Sequence, residues 1–322
     1  MRATVVGAGV FGLAVATELA ERGFTVTLCE RNPGLGGNAS WLAGGMLAPY
    51  CEGESAPWSV VERGLKAVDW WERHVPDVAR AGTLVVAPPR DAPELERFAA
   101  HTRGWESVDE AGVAALEPDL GERFRSGLYF AREGHVDPRE AMEALCQRLI
   151  AKGVELSFAH PFREDVGKGV IVDCRGWSAR DTLNELRGVR GEMMLVRTRE
   201  VRLKRPVRLL HPRIPLYVVP RADGLYMIGA TMIESADKGG MTARSAIEML
   251  SAAFALHPAF GEAEIVEMSA DVRPAFPDNE PRVIERGGRL CLNGAYRHGW
   301  LLAPDLAAQA AEMALGRVTD KV

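Results

Sequence analysis

The sequence predicts an α/β protein in which a parallel sheet, assembled from separated stretches of chain, carries an inserted antiparallel sheet. Three observations predict it. The first thirty residues read strand, glycine-rich turn, helix, strand and acid. Gly169-Val170-Ile171-Val172-Asp173-Cys174 is a near-continuous apolar run of the kind buried inside parallel sheets. Leu216 to Thr231 holds two apolar strands around Arg221-Ala222-Asp223-Gly224, a β-hairpin in which Gly224 supplies a positive φ.

The opening unit is the most specific. Thr4-Val5-Val6 is a buried strand, and Gly7-Ala8-Gly9-Val10-Phe11-Gly12 follows at once. Leu13 to Arg22 is a helix with Leu13, Ala16, Leu19 and Ala20 on one face. Gly23 stops it, and Phe24 to Cys29 is a second strand ending at Glu30. Each part has its own task in a Rossmann-like grip on an adenine dinucleotide. Gly7 makes the tight turn, Gly9 lets the pyrophosphate approach the backbone, and Gly12 lets helix and strand pack closely. The helix N-terminus offers free N–H groups and positive potential to the phosphates. Glu30 stands where a carboxylate accepts hydrogen bonds from the ribose hydroxyls.

The next residues separate one dinucleotide from another. A nicotinamide enzyme would pass directly into a further βα unit. Here Asn32-Pro33-Gly34-Leu35-Gly36-Gly37-Asn38-Ala39-Ser40 leads to Ala43-Gly44-Gly45-Met46-Leu47. So many glycines do not sustain a helix. A long run of small residues suits backbone lying flat on an extended ligand, which points to FAD. A solvated loop is the other reading, but Leu35, Trp41, Met46 and Leu47 are too apolar for one.

Further along, Trp58 to His74 reads as one helix with Val61, Leu65, Val68 and Trp71 at core spacing. Gly82 to Ala87 and Leu128 to Phe130 are strands, and Glu94 to Thr102 is a short helix. Gly134 to Pro138 leads into a helix over Arg139 to Lys152. His135 there orders a turn rather than serving as a base. Val154 to Phe158 and Gly169 to Cys174 return to the first sheet, and Gly188 to Val196 opens the second. Ala246 to Phe254 is helical, Leu290 to Asn293 is a strand, and Asp305 to Leu315 is a closing helix entered through Pro304. Residues 1–80, 135–190 and 270–322 are expected to form the discontinuous FAD-binding domain. Residues 81–134 and 191–269 are expected to form the substrate-binding domain.

Bulk properties narrow the function. The 322 residues are 47% hydrophobic, enough for a substantial core. A net charge of −5 argues against nucleic acid or an anionic membrane as partner. No apolar run is long enough to span a bilayer, and no secretory leader is visible. The five cysteines lack CxxC spacing and suit reduced thiols in the cytoplasm. The seven histidines show no HxxH or HExxH pairing, so no metal site is expected.

Four stretches resemble the glycine oxidase and D-amino-acid oxidase family of FAD enzymes, nearest to the glycine oxidases of thiamine biosynthesis. They are Val5 to Gly12 with Glu30-Arg31; Ala39-Ser40 through Ala48; Tyr217 to Arg221 with Gly229 to Met232; and Arg273-Pro274 with Gly294 to Pro304. The last is the most specific, because glycine turns alone match many FAD proteins. The resemblance implies FAD, oxidation of a small amino acid or amine, and reduction of O2 to hydrogen peroxide. It implies that Gly7, Gly9, Val10, Phe11, Gly12, Glu30, Arg31, Ala39, Ser40, Gly44, Gly45, Met46 and Phe162 hold FAD. Ala295, Tyr296, Arg297, His298, Gly299, Trp300 and Leu301 would wrap the flavin. It leaves the imine product either to hydrolyse or to be handed over to thiazole synthase, and allows a homo-oligomer. Trp41 and Leu42, the short stretch between Phe162 and Val170, and Asp173-Cys174-Arg175 depart from the family pattern.

The residues themselves give a compatible chemistry. Arg273 precedes Pro274, which biases its backbone to an extended form. Its guanidinium can bind a carboxylate through two parallel hydrogen bonds, or it can make an ordinary surface ion pair. The resemblance favours the carboxylate of the substrate. Tyr217 either gives its hydroxyl to that carboxylate or packs across strands against Tyr226 or its neighbours. Arg297 either lines the pocket or pairs with a local acid. Met232 is a wall residue, and a small pocket bounded by Tyr217, Met232 and Arg273 is expected. The helix after Pro304 is expected to direct positive potential at the flavin. Within the family, a D-amino-acid oxidase or a flavin-dependent dehydrogenase is the alternative. Outside it, the alternatives are a structural flavoprotein, a domain of an RNA-modifying enzyme, and an NAD dehydrogenase.

Overall fold

The computed structural model describes residues 1–162, 167–211 and 215–319. Two sheets carry the architecture. The first has six strands in the order Arg282–Arg286, Arg289–Asn293, Val170–Asp173, Arg2–Val6, Thr25–Cys29, Glu155–Ser157. Arg2–Val6 is central and pairs in parallel with Thr25–Cys29 and Val170–Asp173. Only Arg282–Arg286 runs antiparallel, as the edge of a hairpin with Arg289–Asn293. The helices Val10–Glu21, Pro138–Ala151 and Gly299–Thr319 pack in its core. Val10–Glu21 is buried from Val10 through Leu19, so tertiary packing rather than amphipathicity holds it.

The second sheet has nine strands. Arg187–Arg197 is its spine. It pairs along its whole length with Glu264–Ala275 on one side, and with Ile233–Glu234 and Leu225–Gly229 on the other. The sheet continues through Leu216–Pro220, Val207–Leu209, Thr83–Val86, Ser126–Phe130 and Glu106–Asp109. It is antiparallel, as expected, except where Val207–Leu209 meets Thr83–Val86 in parallel. That is where two separate excursions of the chain join. Arg187–Arg197 and Glu264–Ala275 lie wholly in this sheet, so they run across the expected boundaries at 190 and 270. The hairpin forms at Pro220–Leu225, with Gly224 at φ 69° and Asp223 also left-handed at φ 55°.

Two helices differ from expectation. Trp58 to His74 is not continuous: Trp58–Gly64 and Ala67–His74 are separate. Gly64 lies so close to the last helix that a Cβ there would sit 2.8 Å from Leu301, and the chain bends around this approach. The closing helix begins at Gly299, so Pro304 lies inside it rather than at its entrance. A proline has no N–H for the carbonyl four residues back, which is that of Trp300. The Trp71 indole fills the gap, its Nε1–H donating to Trp300 O at 3.1 Å. The two rings pack at a tilt of 32°, with centroids 4.7 Å apart. The proline is tolerated because another helix supplies the missing donor.

No helix among the described residues is long and apolar enough to cross a membrane. The short stretch from 163 to 166 lies outside the described residues.

Replacing Trp71 by Phe keeps an aromatic ring in the core but strips Trp300 O of its donor. A loss of about 1–3 kcal/mol is expected in urea titrations. A loss below about 0.5 kcal/mol would show that another donor reaches the carbonyl.

Candidate active site

The central strand Arg2–Val6 ends at Gly7, and the chain turns there under tight constraint. Gly7 has φ 100°, and a Cβ on it would lie 2.7 Å from Cys174 O. A Cβ on Gly12 would lie 1.8 Å from Gly7 O, so no other residue fits. This contact sets the first turn of Val10–Glu21 directly over the strand ends. Ala8 N–H donates to Glu30 Oε2 at 2.8 Å, and Asn32 N–H donates to Oε1 at 2.9 Å. The Glu30 carboxylate therefore braces the glycine turn from the neighbouring strand. Ser40 Oγ accepts from Val10 N–H at 3.0 Å and fixes the Ala39-Ser40 stretch beside the helix start.

From this turn a cleft of about 430 Å³ extends to the second sheet, within the usual range for ligand sites. Every site residue singled out from the sequence lines it, apart from Gly12, His298 and Met232. Gly12 serves the backbone contact just described. His298 is buried behind the wall, its Nδ1 at 3.0 Å from Glu52 Oε2. Phe162 lies at one end of the cleft, with the Arg289 guanidinium 5.2 Å from its ring centre. Gly299, Trp300 and Leu301 bring a helix N-terminus to the wall, and it is this start rather than Pro304 that faces the cleft.

Three polar side chains stand at the other end. Arg273 comes from the long edge strand, and its side chain is half-buried on the wall of the cleft. It donates from Nη1 to Thr231 O at 2.9 Å and forms no ion pair among the described residues. The surface-pair reading of Arg273 therefore does not hold. Burial lowers its affinity for a proton, the signature of a cation with no anion supplied by the protein. Tyr217 lies between two glycines. A Cβ on Gly44 would be 3.1 Å from its ring, and one on Gly229, directly across the hairpin, 3.0 Å from its hydroxyl. Tyr226 is not its packing partner. That residue faces Phe260 edge-on at 5.4 Å and donates its hydroxyl to Val201 O. Burial raises the Tyr217 phenol above its ordinary range, so it stays a donor at neutral pH.

Arg297 does pair with a local acid while still lining the cleft. Its Nε donates to Glu52 Oε2 at 2.7 Å, and its buried Nη2 has no partner among the described residues. Glu52 also accepts from Arg208 Nη2 at 3.0 Å. Burial opposes the charge of Glu52. Arg297, His298 and Arg208 outweigh that opposition and hold the carboxyl well below the usual range. Neither Glu52 nor Arg208 was singled out from the sequence. Arg208 is the direct cross-strand neighbour of Tyr217, a register that no local sequence pattern marks. Met232 does not bound the pocket. It is 51% exposed, its sulfur 3.5 Å from the Tyr296 hydroxyl outside the cleft. Tyr296 itself carries a left-handed φ of 47°, a strained turn held at the site. His135 is buried away from the cleft in a short backbone pairing with Met46-Leu47. Burial and Arg221 push its imidazole down to about 4, so it stays neutral.

A glycine-lined channel therefore leads from a helix N-terminus to a cationic pocket. A model of the FAD dependent oxidoreductase family, DAO, matches residues 2–313. The chain belongs to this family. A Rhizobium etli protein named as a thiamine biosynthesis oxidoreductase, ThiO, is 54% identical over 316 residues, covering 98% of this chain and 97% of that protein. The glycine oxidase of Pseudomonas aeruginosa is 28% identical, covering 98% of this chain and 95% of that one. The crystal structure of glycine oxidase from Bacillus cereus shares the fold, with a TM-score of 0.82 at 24% identity over 98% of this chain and 95% of that one.

FAD is the cofactor, and the residues present fit it. The turn at Gly7 to Gly12 admits backbone contact, and a Cβ on Gly9 would stand 3.2 Å from Ser40 Oγ, inside the channel. The orphaned Nη2 of Arg297 adds an unused donor on the wall.

Glu52 is charged in the folded protein well below the pH at which a free carboxylate protonates. Its contribution to stability is therefore complete above about pH 4.3 and is lost as pH falls further. A Glu52→Gln variant is expected to be about 3 kcal/mol less stable than the parent at pH 7, because two buried guanidinium groups lose their counter-charge. The gap should narrow steadily below about pH 4 in urea titrations. A gap that stays constant across pH would show that the carboxylate charge is not what holds the cluster.

Proposed function

We propose that this chain oxidises glycine, or a similarly small amine, to the imine, which water converts to glyoxylate and ammonia, while O2 becomes hydrogen peroxide. The observation that carries this reading is Arg273: a half-buried guanidinium on the cleft wall with no ion-pair partner among the described residues. Such a group has a place for an anion, and a planar carboxylate suits it in two parallel hydrogen bonds. The balance is complete: glycine, O2 and water give glyoxylate, ammonia and peroxide.

Arg273 holds the substrate carboxylate at the inner end of the pocket. Tyr217, kept protonated by burial, donates its hydroxyl to the same carboxylate. Arg297 also lines the pocket, its guanidinium fixed by Glu52. With the carboxylate clamped, Cα of a short amino acid has little freedom of position, which supplies much of the rate by orientation alone. When bound, FAD accepts the hydride equivalent from Cα and passes the electrons to O2. Trp300, Leu301 and Met46 make the channel wall apolar and restrict water there. The start of the last helix adds positive potential to the same wall.

The residues proposed to hold FAD are Gly7, Gly9, Val10, Phe11, Glu30, Arg31, Ala39, Ser40, Gly44, Gly45, Met46 and Phe162, with Ala295 to Arg297 and Gly299 to Leu301 along the flavin. Handover of the imine to thiazole synthase is part of the proposal, supported by the thiamine role in the name of the Rhizobium etli relative. A cytoplasmic setting is also proposed, supported by five unpaired cysteines.

Purified protein is expected to be yellow and to bleach on anaerobic mixing with glycine. In air, peroxide should form in step with glyoxylate, and faster with glycine than with D-proline. A protein that stays yellow with every short amine sinks the reading. Arg273→Ala should keep its FAD and lose roughly 30- to 1000-fold in kcat/KM for glycine, the equivalent of about 2–4 kcal/mol for a charge-assisted pair. An unchanged kcat/KM would remove Arg273 from the site.

A further inference from the structure

We propose that Gly191 is a positioning residue for Arg273: the bare backbone at Gly191 is the seat on which the guanidinium rests, and its lack of a side chain sets where the substrate carboxylate binds. This rests on the reading of Arg273 as the carboxylate clamp.

Strand register makes the case. Arg187–Arg197 pairs with Glu264–Ala275 so that Val189 faces Arg273 and Gly191 faces Asp271. Residues directly opposite in an antiparallel pair share a face. Gly191 therefore lies on the same face as Arg273 and one pleat along from it. The Arg273 side chain leans back over that position. A Cβ built on Gly191 would stand 2.2 Å from Arg273 Cζ and Nη2 and 2.5 Å from Nη1, far inside contact distance. The backbone at Gly191 is not in the left-handed region, so its conformation does not require glycine. What glycine supplies here is empty space, and the guanidinium fills it.

The flanking residues fix the seat from behind. Arg190 and Glu192 point to the opposite face and form a buried pair at 2.9 Å. Arg190 also donates to the carbonyls of Asp237, Gly239 and Gly240. Glu192 N–H donates to Thr231 Oγ1 at 2.9 Å, and Thr231 Oγ1 donates to Glu192 Oε2 at 3.2 Å. Thr231, held in this way, offers the carbonyl that accepts from Arg273 Nη1. The tripeptide Arg190-Gly191-Glu192 thus provides both the floor under the guanidinium and the anchor for its end-stop. A methyl group at 191 would meet the far end of a flexible side chain rather than backbone. The fold can absorb it, and Arg273 must move.

The test uses the holoenzyme of Gly191→Ala, with acetate as a carboxylate probe read by its perturbation of the visible flavin spectrum. The variant should keep its FAD and its melting temperature. Its dissociation constant for acetate and its KM for glycine should rise roughly ten- to hundredfold, with a smaller change in kcat. Adding Gly191→Ala to Arg273→Ala should cost nothing more, because the seat has no occupant to displace. If the single variant fails to fold, a folded double variant still supports the proposal, since only a clash with Arg273 would then be relieved. Acetate affinity and KM within about twofold of the parent in Gly191→Ala, alongside a large loss in Arg273→Ala, would overturn the seat and leave the clamp standing. No loss in Arg273→Ala would overturn the clamp itself, and the seat with it.

Discussion

The contact between Gly12 and the carbonyl of Gly7 is the constraint on which the remainder is built. At 1.8 Å from a would-be Cβ, it tolerates hydrogen and nothing else. It fixes the start of a helix buried from Val10 through Leu19 against the central strand, and so aims that helix's free N–H groups along the cleft. Glu30 and Ser40, from different parts of the chain, then tie down the neighbouring amides. A dinucleotide site of this kind is mostly backbone, held open by residues that lack side chains and locked by a few that have them.

The second sheet contributes charge instead of space. Arg208, Arg297 and Arg273 all come close to the inner end, where, among the described residues, Glu52 is the carboxylate that pairs with the first two. Glu52 compensates two of them and leaves Arg273 without an anion. A half-buried cation without a partner is costly to the fold. The same imbalance is what gives an incoming carboxylate its binding energy. Stability is lowered where the ligand restores it, a common trade at functional sites.

Much of this was legible in the sequence because it depends on local rules. The opening unit, the 216–229 hairpin and the stripe of small residues from Gly34 to Gly45 follow from turn chemistry and periodicity. Arg273, Tyr217 and Arg297 came from family resemblance, since a single arginine carries no local signal. Glu52 and Arg208 escaped because their pairing spans 156 residues. The start of the last helix was misplaced for a related reason. Proline normally marks a first turn, and only the distant Trp71 makes an interior one tolerable. Gly191 carries no local signal of its role, because Arg273 reaches it through strand register alone.

The packed pair of Trp71 and Trp300 has a consequence for observation. Trp300 forms part of the channel wall, and Trp71 lies against it in the core. An isoalloxazine in the channel absorbs where indoles emit, so resonance transfer would dim this pair together with Trp177, which also lines the channel. The protein therefore carries an intrinsic optical gauge of its own prosthetic group, readable in the ultraviolet without label or substrate.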